Sequence, residues 1–147
     1  MLRIQNVSKT YPNGTQALKN VSFDVKDGES MVVIGLSGSG KSTLLRCINR
    51  LIDPTEGKIL WDDVDITAAP PAGLRQIRRK IGMVFQQFNL VKRSSVMMNV
   101  LSGRLGYVNP WMSLLGVWPR DEKKRALEAL GRVGIADKAD DRADALS

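Results

Sequence analysis

The string Gly35-Leu36-Ser37-Gly38-Ser39-Gly40-Lys41-Ser42 sets glycines, a lysine and hydroxyls at the spacing G-x-x-x-x-G-K-[ST]. Each position answers a need of one negatively charged ligand. Gly38 and Gly40 permit backbone angles closed to other residues and let successive N–H groups turn inward around an anion. The helix that Lys41 begins adds the positive end of its dipole. Lys41 itself brings a full charge to β- and γ-phosphates, and the Ser42 hydroxyl is placed to ligate magnesium. The expected ligand is a nucleoside triphosphate with Mg2+. A glycine-rich turn carrying a chance lysine would read the same as a bare string, so the flanking elements decide.

Those elements fit. Met31 to Ile34 is a continuous apolar run, read as a strand buried on both faces. After the loop, Leu44, Leu45, Ile48 and Leu51 fall on one face of a helix that ends before Asp53-Pro54; Cys47 is one position off that stripe and is assigned to packing. Strand, glycine turn and helix are consecutive, as the motif requires. Upstream, Leu2, Ile4 and the alternation Val21, Phe23, Val25 predict an antiparallel sheet, punctuated by Pro12-Asn13-Gly14 and Asp27-Gly28. Downstream, Ile59-Leu60 predicts a short strand and then an acidic turn, Leu74 to Lys80 a short basic amphipathic segment, and Ile81 to Phe85 another buried strand. Past Gln86 come Met97, Met98, Pro110-Trp111 and Trp118-Pro119, then a helix from Asp121 to about Val133 with Leu127, Leu130 and Val133 on one face beside Ala126 and Ala129. A boundary near Val91 to Ser95 separates a β and loop-bearing part, about 1–93, from a helical part, about 94–147.

Composition narrows the chemistry. The 147 residues, 43% hydrophobic, suffice for one core and one domain. A single cysteine excludes an intramolecular disulfide, and the absence of histidine excludes Ser-His-Asp, Cys-His and Cys/His zinc arrangements. A reducing, cytoplasmic address is the default expectation. No window approaches the roughly 18 consecutive apolar residues of a membrane helix, and the N-terminus lacks a signal pattern. Net charge +7 reads first as a solvated basic face, and otherwise as attraction to polyanions.

A guanine-reading Asn-Lys-x-Asp is not found; the nearest string, Ala136-Asp137-Lys138-Ala139-Asp140, lacks the asparagine. The set around the loop is more informative: Tyr11 after Val7-Ser8-Lys9-Thr10, Gly28-Glu29, Pro54-Thr55-Glu56-Gly57 and Ile81-Gly82-Met83-Val84-Phe85-Gln86. Across all 147 residues the chain resembles the ATP-binding subunits of ABC transporters. Within that family Phe85 to Val91, Asn99 to Gly106 and Trp111 to Pro119 are most similar to the phosphonate importers. The resemblance implies an α/β, P-loop NTPase fold, with a RecA-like parallel sheet, an N-terminal antiparallel β part and the start of an α-helical subdomain. It matches Tyr11 to the aromatic that stacks on adenine, and Gly35, Ser37, Gly38, Ser39, Gly40, Lys41, Ser42 and Thr43 to the phosphate loop. It matches Gln86 to the glutamine that senses magnesium and the attacking water, so Ser42 and Gln86 become the magnesium contacts. On residue type alone Tyr11 could equally pack at a strand end, and Gln86 could be an ordinary strand-end polar group.

Leu146-Ser147 matches the first two residues of the family signature Leu-Ser-Gly-Gly-Gln, whose serine reaches the γ-phosphate on the opposite subunit. The family's acidic catalytic strand and switch histidine have no match, so the resemblance implies a truncated N-terminal part with an incomplete central sheet. Ile59-Leu60-Trp61-Asp62-Asp63, apolar then acidic, is read as a structural turn and no substitute for that strand. Asp63 stands where relatives usually have glycine, and Met97-Met98 replaces a more polar pair. Implied partners are a second ATP-binding subunit in a homodimer, a membrane permease and, indirectly, a substrate-binding protein, on the cytoplasmic face of the membrane. Met97, Met98, Trp111, Met112, Leu114, Leu115 and Trp118 are expected to contain the permease-docking surface. Alternatives are a non-hydrolysing ATP-binding or interaction fragment and, more weakly, nucleic-acid binding through Arg75, Arg78, Arg79 and Lys80.

Overall fold

The alternating apolar residues near the N-terminus build an antiparallel sheet in the computed structural model, which describes residues 1–86 and 89–146. β1 (Leu2–Thr10) is central; it pairs β2 (Gln16–Val25) on one side and β3 (Glu56–Trp61) on the other, and β4 (Val64–Asp65) completes the order β2-β1-β3-β4. Ile4 and Val7 are both buried although an alternating strand would turn them to opposite faces. A register shift between them, with Asn6 at φ 51°, is the bulge that lets both enter the core. The β3–β4 hairpin turns on Asp62 and Asp63 at φ 46° and 65°, the doubly left-handed geometry of a tight two-residue turn. Asp63 therefore fills a glycine-type position, and it pairs with Arg3 while Asp62 accepts from the N-terminal ammonium.

Against the sheet lies α1 (Lys41–Ile48), with Leu44 and Cys47 packed among Ile4, Val7, Leu18, Ile59 and Ile66. The inward stripe is Leu44, Cys47 and Ile48; Leu45 and Leu51, expected on it, are about half exposed. Cys47 is fully buried, in keeping with a packing role, and burial pushes its thiol pKa up. α2 (Pro71–Arg78) starts on a proline at its first turn and leans Leu74 and Ile77 on the same core.

Two expected buried strands are absent. Residues 31–34 form no strand, with Val32 and Ile34 81% and 87% exposed, and Val84 in the segment 81–85 is 95% exposed. The cause is physical: a two-face-buried strand gets both its ladder and its burial from neighbours, and among the described residues no strand pairs with either segment. The central sheet is incomplete, as the sequence led us to expect.

The chain divides into two compact units, Met1–Ile81 and Gly82–Ser147. In the second, α3 (Val96–Ser102) is capped by Ser95, whose Oγ accepts from the Met98 N–H at 3.2 Å. α4 (Pro110–Leu114) and α5 (Arg120–Arg132) follow, and α5 carries Asp121 and Glu122 in its first turn and Arg132 in its last, complementing its dipole. Two small clusters form the interior: Val96, Leu130 and Ala139, and Leu101, Trp118 and Ala126. The buried stripe of α5 is thus Ala126 and Leu130, while Leu127 and Val133, expected beside Leu130, are exposed. Arg104 clamps the start of α5 through paired bonds to Glu122 at 2.6 and 3.0 Å.

Candidate functional site

The glycine loop turns into α1 through left-handed backbone at Gly38 (φ 82°) and Gly40 (φ 91°). These two glycines serve different ends. A Cβ on Gly38 would meet nothing within 4 Å, so that peptide faces open space. A Cβ on Gly40 would sit 2.2 Å from the Ala17 carbonyl oxygen, so that peptide rests directly on β2. Gly40 is also the N-cap of α1 and supplies no side-chain cap, so the first N–H groups at the helix's positive end are not capped by the residue that starts it.

Lys41 folds back over the loop. Its Nζ donates to the carbonyl oxygens of Gly35 at 2.8 Å and Leu36 at 2.7 Å and to Ser39 Oγ at 3.2 Å, while the Ser39 N–H closes a turn onto Leu36 O. The loop is wrapped around an ammonium. Ser37 and Ser42 are exposed, and Thr43 is half-buried with its Oγ1 3.4 Å from the Tyr11 hydroxyl. β1 and α1 therefore bring Tyr11 to the rim of the same loop, and Lys9 Nζ sits 5.5 Å from the Tyr11 ring centroid. An uncapped helix start, an open peptide at Gly38, a held cation and adjacent hydroxyls fit a phosphate chain. Among the described residues no group of three or more His, Cys, Asp or Glu could hold a metal, and the loop offers the exposed Ser42 hydroxyl.

Asp62 and Asp63 lie at the other end of β1. Trp61 pairs with Leu2, whereas Tyr11 follows Thr10, and eight residues of strand separate these points by roughly 26 Å. Their engagement with the N-terminus and Arg3 agrees with the structural reading of that turn. Gln86 is exposed and belongs to the second unit, and Ser147 lies outside the described residues. The expected docking set divides, since Trp118 is buried and Met97 and Met98 pack in the interior whereas Trp111, Met112, Leu114 and Leu115 are exposed. In the basic cluster, Arg78 is occupied by the carbonyl oxygens of Asn49 and Arg50. Sequence reading missed the wall that Ala17 and Leu18 supply behind Gly40, and it missed Lys9; the Lys9-x-Tyr11 spacing along one strand face was the available signal.

The sequence pattern of ABC transporters matches residues 18–147. The chain belongs to the ABC transporter family. Among curated relatives of this ABC chain, the phosphonates import ATP-binding protein PhnC of Lactobacillus johnsonii is 54% identical over all of the chain and 58% of the relative. That of Shouchella clausii is 56% identical over all of the chain and 55% of the relative. The chain spans between half and three-fifths of the length of these curated relatives. Of solved structures, a dimeric post-hydrolysis state of the ATP-binding cassette MJ0796 bound to ADP and Pi matches with TM-score 0.83 and 37% identity, covering the whole chain and 63% of that protein. The protein cbiO1 from Clostridium perfringens, part of the ABC transporter complex cbiONQ, matches with TM-score 0.75 and 32% identity over 99% of this chain and 55% of its own. The fold is that of an ABC cassette, an α/β P-loop NTPase.

Proposed function

We propose that this chain is the nucleotide-binding part of the energy-coupling subunit of an ABC importer, in which ATP hydrolysis by the whole subunit drives uptake of phosphonates or related organophosphorus compounds. The loop wrapped around the Lys41 ammonium carries the reading. Loop N–H groups and the start of α1 hold the phosphate oxygens, Lys41 supplies the charge beside the β- and γ-phosphates, and the Tyr11 ring stacks on adenine. Ser42 would offer its hydroxyl to magnesium, and Gln86, by the family resemblance, would act as the sensor of magnesium and of the attacking water. Magnesium, when bound, neutralises charge shared between the terminal phosphates. The phosphonate class is supported by the names of the relatives, phosphonates import ATP-binding proteins.

The subunit pairs with a second copy, Ser147 reaching the partner's γ-phosphate, and works peripherally at the cytoplasmic face against a permease that receives substrate from a binding protein. Residues from about 94 onward form the helical subdomain, and those before it the nucleotide-binding part. No helix among the described residues is long and apolar enough to cross a membrane.

For these 147 residues alone we infer binding without turnover. Histidine is absent, and Asp53, Asp62, Asp63 and Asp65 are engaged by Arg50, the N-terminus, Arg3 and Thr67. These four carboxylates are committed to structural contacts, and positioning and electrostatics supply nearly all of the acceleration in phosphoryl transfer. Competition binding of ATP against adenosine, run beside magnesium-dependent phosphate release, tests both parts. We expect ATP to bind more tightly than adenosine with background release; equal affinities would refute the cradle, and release abolished by Lys41→Ala would refute the lack of turnover.

A further inference from the structure

Between Arg104 and Arg120 the chain runs for fifteen residues, Leu105 to Pro119, without a charge. That is shorter than the roughly 18–20 residues of a spanning helix. One end of it is pinned inside, because Trp118 is only 6% exposed and packs with Leu101 and Ala126. The middle is held out. Asn109 Oδ1 accepts from the Trp111 N–H at 3.0 Å and starts α4, a short turn whose Trp111 and Leu114 are 74% and 77% exposed, followed by Leu115 at 78%. Met112 and Val117 extend the same apolar surface. Side chains exposed to this degree protrude and do not line a groove.

The polar surroundings are one-sided. Arg104, Arg120, Lys123, Lys124 and Arg125 flank the segment against Asp121 and Glu122. Glu122 is held by the paired bonds from Arg104 and also feels Arg125, and the exposed Arg120, Lys123, Lys124 and Arg125 outnumber their near counter-charges, Asp121 and, one turn on, Glu128.

We propose that the α4 turn inserts Trp111, Leu114 and Leu115 into the interfacial layer of an anionic bilayer while the first turns of α5 bind its headgroups. An amphipathic helix from a partner protein requires a hydrophobic groove to receive it. A protruding apolar turn carrying a tryptophan, bordered by exposed cations, instead matches the surface of a segment that lies in the interface plane and is attracted by anionic lipid. The turn shares no residue with the phosphate loop, so failure here is distinguishable from failure of nucleotide binding.

Flotation of the purified chain with phosphatidylcholine vesicles, with and without one third phosphatidylglycerol, tests this surface. The chain is expected to float with the anionic vesicles and to be released by salt. Combining Trp111→Ser, Leu114→Ser and Leu115→Ser should reduce binding at least about tenfold with the circular dichroism unchanged, and Lys123→Gln and Lys124→Gln should each reduce it about fivefold. Brominated acyl chains should quench tryptophan emission in the parent, with that quenching lost in Trp111→Phe. Absence of flotation would overturn the proposal. Undiminished flotation of the triple serine variant would also overturn it and move the contact to another apolar surface, such as residues 31–34. Crosslinking of Trp111 or Leu115 positions to a permease subunit without vesicle binding would overturn it in favour of a protein partner.

Discussion

Replacing Gly40 by alanine is expected to cost the fold far more than replacing Gly38, although both glycines belong to one loop. At both positions alanine would have to hold a left-handed backbone, φ 82° at Gly38 and 91° at Gly40, which costs about 1–3 kcal/mol. Gly38→Ala adds nothing further, since its new methyl meets open space. In Gly40→Ala the methyl would lie 2.2 Å from Ala17 O and 3.2 Å from Leu18 Cδ2, where ordinary contact begins at 3.4 Å. The start of α1 must then back away from β2 by about 1 Å, loosening Leu44 from Leu18, and overpacking of this kind costs about another 1–3 kcal/mol. With a urea slope of about 1–3 kcal/mol per molar, Gly40→Ala should lower the unfolding midpoint by about 1 M more than Gly38→Ala does. Equal midpoints for the two variants would refute the placement of the loop on β2. Both variants should lose nucleotide affinity, so binding alone does not separate them.

Glu122 is held below its ordinary value chiefly by the Arg104 hydrogen bonds, so its contribution is full above that value and is lost as pH falls through the folded pKa. Thermal denaturation should show Glu122→Gln less stable than the parent near neutrality, with the gap closing on acidification below about pH 4.5, the ordinary value for Glu; a gap independent of pH would contradict it. Cys47, fully buried in the first core, should resist a maleimide in the native chain and react promptly in urea, as followed by mass spectrometry. Tyr11→Phe should keep ATP affinity within about twofold because stacking uses the ring, while Tyr11→Ala should lose about two- to tenfold in a calorimetric titration.

Local pairings were the legible part of the fold. Val21, Phe23 and Val25 alternate because β2 has one wet face and its partner β1 is only a tight turn away, and the acidic pair after Trp61 read correctly as a turn. Residues 31–34 were misread as formed strand, since a continuous apolar run records a segment suited to burial and the burial itself depends on neighbours. The error on α1 was angular: Leu45 is more hydrophobic than Cys47, yet the packed face runs through Leu44, Cys47 and Ile48. Near α4 the sequence shows two tryptophans seven residues apart, and only packing reveals that Trp118 is core and Trp111 surface. The loop was legible residue by residue because each glycine and Lys41 has a backbone or charge reason to be there. Its wall on β2 was not, because a contact to the Ala17 carbonyl leaves no mark in side-chain type.

Calorimetric titration of ATP with magnesium into the parent chain and into Lys41→Ala is the most direct measurement of the phosphate cradle. Among the described residues Lys41 Nζ donates to loop carbonyls and Ser39 Oγ, so its removal should leave the core and the circular dichroism intact. Loss of a charge-assisted contact of about 1.5–3 kcal/mol predicts about 10- to 150-fold weaker ATP binding. An unchanged affinity in a variant with native circular dichroism would contradict the assignment of the Gly35 to Thr43 loop as the site of nucleotide phosphates.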